Sequence, residues 1–233
     1  MAKSASISMT SHTRARASVI GCALASLALA GCTSGAGGGD WSHIYELVHQ
    51  SWTGGAGTIT LQQAAAVPYA SLGVRVGGGP QTLVVLGADQ SGHLLWTSAA
   101  KIAIETDNGR VMRTAGFPGD LSNVGFSGDD PLLAFERGGT GPQQATRTMD
   151  FRDINVFGIP VSCTLAREGS ETIQILGTDI QTQRIGENCV SAKLDWQFEN
   201  TFWMGTSGFI WKSVQNIHPK QDPLTIEVLR PPG

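Results

Sequence analysis

Basic residues are scarce in this chain: sixteen Lys and Arg stand against nineteen Asp and Glu, and charged residues of all kinds make up only 15% of it. That balance lacks the positive footprint that phosphate-backbone recognition needs, so no nucleic-acid partner is expected. It also gives little long-range attraction for an anionic polysaccharide, so any glycan contact must rest on shape, hydrogen bonds and aromatic faces. Catalytic signatures are missing as well. Ser98-Ala-Ala-Lys101 has the S-x-x-K spacing of penicillin-binding proteins, but it ends a strand pattern and no K-T-G accompanies it. His43 and His49 are six apart, on different helical faces, so there is no H-E-x-x-H zinc motif, and His93 and His218 stand alone in turn contexts. Gly77-Gly-Gly-Pro80 is followed by no lysine-bearing helix and reads as a turn, not a phosphate cradle. Glu105, Glu136, Asp150, Asp153 and Glu199 have the chemistry of a glycosidase pair, but their spacing joins no two of them, and surface or hairpin-end roles are the plainer reading. No enzymatic activity, metal or cofactor is expected.

The chain also lacks an apolar run long enough to cross a membrane, which takes roughly 20 residues. Its greasiest stretch, Ala17 to Ala30, follows Lys3, Arg14 and Arg16 with no acidic residue before it, the layout of a secretory signal peptide. The run stops at Leu29-Ala30-Gly31-Cys32, which resembles the lipobox of bacterial lipoproteins. That resemblance implies cleavage after residue 31 and a lipidated Cys32 as the mature N-terminus. The alternative is an ordinary signal peptide with an incidental cysteine. Several acyl chains, each methylene contributing about 0.8 kcal/mol, would make the anchor stable. Residues 32–39, rich in glycine, read as a tether, and 40–233 as one domain. The lipoprotein pattern associates an aspartate after the cysteine with inner-membrane retention; Thr33 stands there, which favours the outer membrane, periplasmic side. Three basic residues leave with the leader, so the mature chain carries thirteen Lys and Arg against nineteen acids, a net charge of −6.

Of four cysteines, Cys22 falls in the leader and Cys32 at the lipobox, leaving Cys163 and Cys189. In an oxidising compartment an even pair reads as a disulfide, with two free thiols as the alternative. Closing a loop of that size would stabilise the fold by roughly 3.5 kcal/mol on the chain-entropy model. Cys163 shares strand parity with Val161 and Leu165, but Cys189 shares it with Ser191 and Lys193, so the bridge is expected at a strand end, where twist relaxes parity.

Helical spacing appears only early. Asp40 can cap a helix over 41–49, and a second is expected over 60–67, ended by Pro68. Beyond it, strands are expected over 71–76, 81–88, 93–98, 102–106, 111–116, 132–136, 146–152, 161–167, 172–178, 189–198, 201–204, 209–215 and 224–229. Asp107-Asn-Gly109 is the best hairpin signal, because Asn-Gly accepts the positive φ angles of a type I′ turn. In 189–198, Val190, Ala192, Leu194, Trp196 and Phe198 alternate with polar residues, which predicts one buried and one wet face. The whole reads as mainly β, an antiparallel barrel-like or sandwich domain with one or two short N-terminal helices. Trp96, Trp196, Trp203 and Trp211 fall on strands; filling the core is their commoner use, lining a ligand cavity or sugar platform the alternative.

Three segments together resemble the YjbF/GfcB family of bacterial lipoproteins encoded with exopolysaccharide and group 4 capsule genes. They are 64–75 (AAAVPYASLGVR), 95–98 (LWTS) leading to 108–117 (NGRVMRTAGF), and 198–203 (FENTFW) continuing through 208–215 (GFIWKSVQ) to the terminal LRPP. The resemblance implies a mainly antiparallel barrel-like fold. It also implies an outer-membrane lipoprotein that assists production or export of an extracellular polysaccharide. The partners it implies are the membrane itself through the lipid, an outer-membrane β-barrel protein, a second periplasmic protein, and the polysaccharide. It supplies no catalytic residues.

Overall fold

In the computed structural model, which describes residues 57–233, one antiparallel sheet of twelve strands holds more than half of the described residues. The expected signal peptide, the expected lipidation site Cys32, the expected tether and the helix expected over 41–49 lie outside the described residues. A short helix α1 (Leu61–Ala65) opens the described part. Thr60 starts it with a reciprocal capping box: its hydroxyl accepts from Gln63 N–H, and the Gln63 side chain accepts from Thr60 N–H. The strands follow as β1 (Ser71–Val76), β2 (Thr82–Gln90), β3 (His93–Thr97), β4 (Ala103–Asp107), β5 (Arg110–Ala115) and β6 (Asn123–Phe126). After helix α2 (Leu132–Glu136) come β7 (Gln143–Phe151), β8 (Val156–Ile175), β9 (Thr178–Ser191), β10 (Trp196–Gly205), β11 (Ile210–Gln215) and β12 (Leu224–Arg230).

The spatial order is β5-β4-β3-β2-β1-β12-β11-β10-β9-β8-β7-β6, so every neighbour but β1 and β12 is also a sequence neighbour. The two outer strands, β5 and β6, curl round to meet. Thr114 N–H donates to Leu121 C=O at 2.8 Å, and Leu121 N–H donates to the Thr114 hydroxyl at 2.9 Å. The sheet is thereby a nearly closed barrel, which leaves little open edge for unwanted pairing. Inside it Leu72, Val84, Trp96, Ile104, Ile185 and Phe202 form the main core. A second cluster lies on the opposite parity of β2: Leu83 and Val85 are covered by Ile59, Ala64 and Val67 from α1 and its flanks.

The Asn-Gly signal is realised. Asn108 and Gly109 both have positive φ, 46° and 79°, and β4 and β5 leave them as a hairpin. The expected disulfide is present between Cys163 and Cys189, but mid-strand, where the two residues face each other across β8 and β9. Parity is no obstacle because the inward face of β9 is itself polar, with Glu187 and Ser191 buried on either side of Cys189.

Four expectations need correction. Residues 132–136 form helix α2, not a strand: the Asp130 carboxylate accepts from Leu132 N–H at 2.9 Å and Pro131 fixes the first turn, a helix start that outweighs the apolar run. Residues 189–198 are not one strand. The chain turns through a 3₁₀ helix at Ala192–Leu194 and a left-handed Asp195, and Val190, expected on the buried face, is 47% exposed because β9 turns Cys189 and Ser191 inward. The strands expected at 161–167 and 172–178 are one 20-residue strand with an irregularity at Gly169, and its partner begins at Thr178 after a Leu176-Gly177 turn with positive φ at both residues. Finally, β6 was not anticipated; it is four residues long, contains Gly125, and exists through its pairing with β7.

Because Cys163 and Cys189 close a loop within the fold, the double substitution Cys163→Ala/Cys189→Ala is expected to lower unfolding free energy by about 3 kcal/mol in urea titrations. An unchanged midpoint would mean that the cross-link restrains nothing.

A buried ion cluster and two rim clefts

Glu187 projects from β9 into the barrel, fully buried, and four donors meet it. Arg110, the first residue after the Asn-Gly turn, sends Nη1 to Oε2 at 3.0 Å and Nη2 to Oε1 at 2.9 Å. From β7, Arg147 Nη1 donates to Oε1 at 2.9 Å, and from β10, Asn200 Nδ2 donates to Oε2 at 2.6 Å. Arg110 also grips Asp130 at the entry to α2, with Nη2 at 3.1 Å from Oδ1 and Nε on Oδ2. Its guanidinium lies 5.4 Å from the Phe126 ring centre and 5.1 Å from that of Phe202. The network reaches further: Asn200 Oδ1 accepts from Asn216 N–H at 2.7 Å, and Arg147 Nη2 lies 3.6 Å from Cys189 Sγ. Gln215 on β11 accepts from Val111 N–H at 3.0 Å and donates to Gly109 C=O at 2.8 Å, which satisfies backbone groups on the outermost strand.

Burial alone would raise the Glu187 carboxyl. The charges of Arg110 and Arg147 and the hydrogen bonds from Arg110 and Asn200 overcome it and hold the group at about 2, so it is ionised. Burial likewise works against Arg110, but Glu187 and Asp130 push its pKa above the ordinary value. Arg147 is lowered, by burial first and by Arg110 as a like charge, with Glu187 pulling the other way. A carboxylate saturated by four donors has no lone pair left for acid-base work. Nor is it a metal ligand with its neighbours: the sulfurs of Cys163 and Cys189 are joined to each other, not available as thiolates.

The other candidates are dispersed. Ser98 accepts from Ile102 N–H in a turn, and Lys101 is left-handed and exposed, so the S-x-x-K tetrad makes no helical turn. Among the carboxylates, Glu105 pairs with Arg113 at 3.2 Å, Asp150 accepts from Gly158 N–H at 2.6 Å, and Asp153 meets the buried His218 at 3.2 Å. His93 lies 3.6 Å from Asp107 on the surface, and His43 and His49 fall outside the described residues.

Two clefts open at one end of the barrel. Strand register puts the β2–β3, β4–β5 and β10–β11 turns at that end, and helix α2 lies there with Glu136 against Gly208. One cleft, about 250 Å³, is chiefly apolar, walled by Leu94, Trp96, Phe209, Ile210, Trp211 and Val228. The other, about 320 Å³, is mixed, walled by Glu136, Arg167, Ser170, Gln181, Gln183 and Thr206 on its polar side and by Phe135 and Met204 on its apolar side. The tryptophans divide accordingly. Trp96 and Trp211 line the apolar cleft, and the Trp96 indole donates to Thr106 at 2.9 Å. Trp203 bonds Glu171 at 2.9 Å and lies under Lys212, while Trp196 stacks on Phe198 at 3.9 Å. The structure thus brings two of the four together. Sequence reasoning passed over Arg110, Arg147, Glu187, Asn200 and Gln215, although Arg110, Asn200 and Gln215 sit within the segments that carry the family resemblance.

The class defined by these features is a nearly closed antiparallel barrel with an ion cluster in its interior and ligand-sized clefts at its rim. The chain belongs to the family described as "Group 4 capsule polysaccharide lipoprotein gfcB, YjbF", whose model matches residues 44–229. It is 30% identical over 179 residues to the uncharacterized lipoprotein GfcB of Escherichia coli K12, covering 75% of this chain and 82% of that one. To the lipoprotein YjbF of the same organism it is 23% identical over 190 residues, covering 79% and 88%. Its fold matches the crystal structure of the hypothetical lipoprotein YmcC from E. coli K12 with a TM-score of 0.71 and 26% identity, over 82% of this chain and 95% of that one.

Removing the buried carboxylate leaves Arg147 without its ion partner. Glu187→Gln is expected to cost about 3–5 kcal/mol of stability, measured by urea unfolding. The wild-type group also predicts an acid limb. Its folded pKa is about 2 against an ordinary 4.5, so its contribution is complete above 4.5 and is lost as pH falls from there toward 2. Stability followed from pH 6 down to pH 2 should drop more steeply in wild type than in Glu187→Gln; parallel curves would refute the assignment.

Proposed function

We propose that this protein is a lipoprotein, anchored through Cys32 to the periplasmic face of the outer membrane, that assists production or export of an extracellular or capsular polysaccharide without catalysing a step. The signal peptide over residues 1–31, the lipobox resemblance and the glycine-rich tether over 32–39 support the anchor. Membership of a family described as capsule polysaccharide lipoproteins supports the process. The observation that carries the non-catalytic reading is the saturation of Glu187, since the most strongly perturbed carboxylate of the described residues holds the barrel together and faces no open site. Its expected partners are an outer-membrane β-barrel protein and a second periplasmic protein of the export system, with the polysaccharide itself as a third contact.

Cys32→Ala is expected to move the protein from the membrane fraction to the soluble periplasm and to lower surface polysaccharide; undiminished output from the released protein would count against the anchor. Cross-linked wild type should recover an outer-membrane barrel. A change in chain length or substitution after incubating purified protein with the polysaccharide would establish an enzyme instead.

A further inference from the structure

The two rim clefts share a wall. Gly208, at the tip of the β10–β11 hairpin, lines both. A Cβ built there would lie 2.5 Å from Glu136 Cγ, so the bare backbone is what lets the hairpin lie against α2 between the clefts. Trp211 crosses the same wall: its Nε1 sits 2.7 Å from where a Cβ of Gly205 would be, and Gly205 lines the mixed cleft while Trp211 lines the apolar one. A molecule seated in one cleft therefore has the other directly beside it.

The linings decide what that molecule is. The second cleft offers the side-chain carbonyl oxygens of Gln181 and Gln183, whose amide N–H groups donate to the Thr172 hydroxyl and to Gly169 C=O, together with the hydroxyls of Ser170 and Thr206, groups that match sugar hydroxyls. Its one cation is occupied: Arg167 donates through Nε to Gly139 C=O at 3.1 Å and through Nη2 to Phe135 C=O at 3.2 Å, with the Phe135 ring 5.7 Å away. Glu136 opposes the charge of Arg167, so the lining carries no net positive charge to favour a phosphate or carboxylate head. In the apolar cleft the charges at the margin are also engaged. Lys212 pairs with Glu227 at 2.9 Å, and Asp89 accepts from Gly92 N–H at 3.0 Å. The polar side chains of Thr106, Asn108 and Ser213 are bonded to Trp96, Asp107 and Gln215, and the rest of the lining is chiefly aliphatic and aromatic.

We propose that the joined clefts form one binding site for a glycolipid-type amphiphile, its alkyl or isoprenoid chain in the cleft of Trp96 and Trp211 and an uncharged sugar head among Gln181, Gln183 and Ser170. The site is argued from these residues alone and does not depend on the anchored accessory role, so either can fail without the other.

Purified mature protein is titrated calorimetrically with decyl maltoside below its micelle concentration, alongside octyl maltoside, free maltose and decyl phosphate. The proposal expects saturable one-to-one binding of decyl maltoside. The octyl homologue should bind roughly tenfold more weakly, as two fewer buried methylenes imply, and maltose and decyl phosphate at least tenfold more weakly. Trp211→Leu and Gln181→Ala should each weaken the maltoside at least fivefold, Gln181→Ala with the thermal melt unchanged. Equal affinity for decyl phosphate would reduce the effect to unspecific adsorption of chains and overturn the proposal. Equal affinity for maltose would remove the apolar cleft from the site, and absence of saturable binding would remove the site altogether. The wild-type comparisons decide the matter even where a variant fails to fold.

Discussion

One ionised carboxylate, shut inside a hydrocarbon-lined barrel, sets the terms for the rest of this structure. An unpaired charge at that depth is prohibitive, so Glu187 can exist there only if cations arrive from other walls with good geometry. Arg110 comes from β5, at one end of the sheet order, and Arg147 from β7, next to the other end. Satisfying Glu187 therefore requires the sheet to curl until its two ends approach. The same guanidinium carries Asp130 with it, and Asp130 starts helix α2, so the ion cluster also fixes the element that stands at the rim. Buried ion pairs are weak evidence of net stability, since apolar replacements of equal volume often do as well. What they impose is a unique arrangement, because no alternative register of β9 would keep the carboxylate matched.

That logic explains which parts of the fold were legible in the sequence. Strands with one apolar face and a punctuating turn, such as β1 and the β4–β5 hairpin about Asn108-Gly109, are local statements and read correctly. The stretch around Cys189 reads wrongly for an instructive reason. Alternation presumes an apolar inner face, but the inner face of β9 carries Glu187, Cys189 and Ser191, so Val190 lies on the outer side, while Phe198, beyond the turn, is buried as its alternation predicts. Helix α2 fails differently: five residues are too few for a period to declare itself, and Asp130-Pro131 was the only sign. Among the site residues, no spacing rule links Arg110, Arg147 and Glu187, which come together only by closure of the barrel.

The rim and the ion cluster are not independent features. The hairpin that supplies Trp211 and Gly208 to the clefts continues into Ser213 and Gln215, whose side chains bond each other at 2.9 Å beside the first turn of β5. Gly109 lies on that line of contact; a Cβ built there would fall 2.5 Å from the Ile210 side chain, so the turn that delivers Arg110 to the interior is also pressed against a wall of the apolar cleft. Interior electrostatics and rim shape are thus set by the same few backbone positions, with little slack between them.

The position of the disulfide has a consequence for how the molecule comes together. Cys163 and Cys189 lie on adjacent strands of one hairpin, joined by a two-residue turn, so β8 and β9 alone suffice to bring the sulfurs into contact. The charged groups need β5, β7 and β10 in addition. Covalent closure is a private matter of a single ribbon, and a chain already cross-linked still has its whole electrostatic interior to assemble.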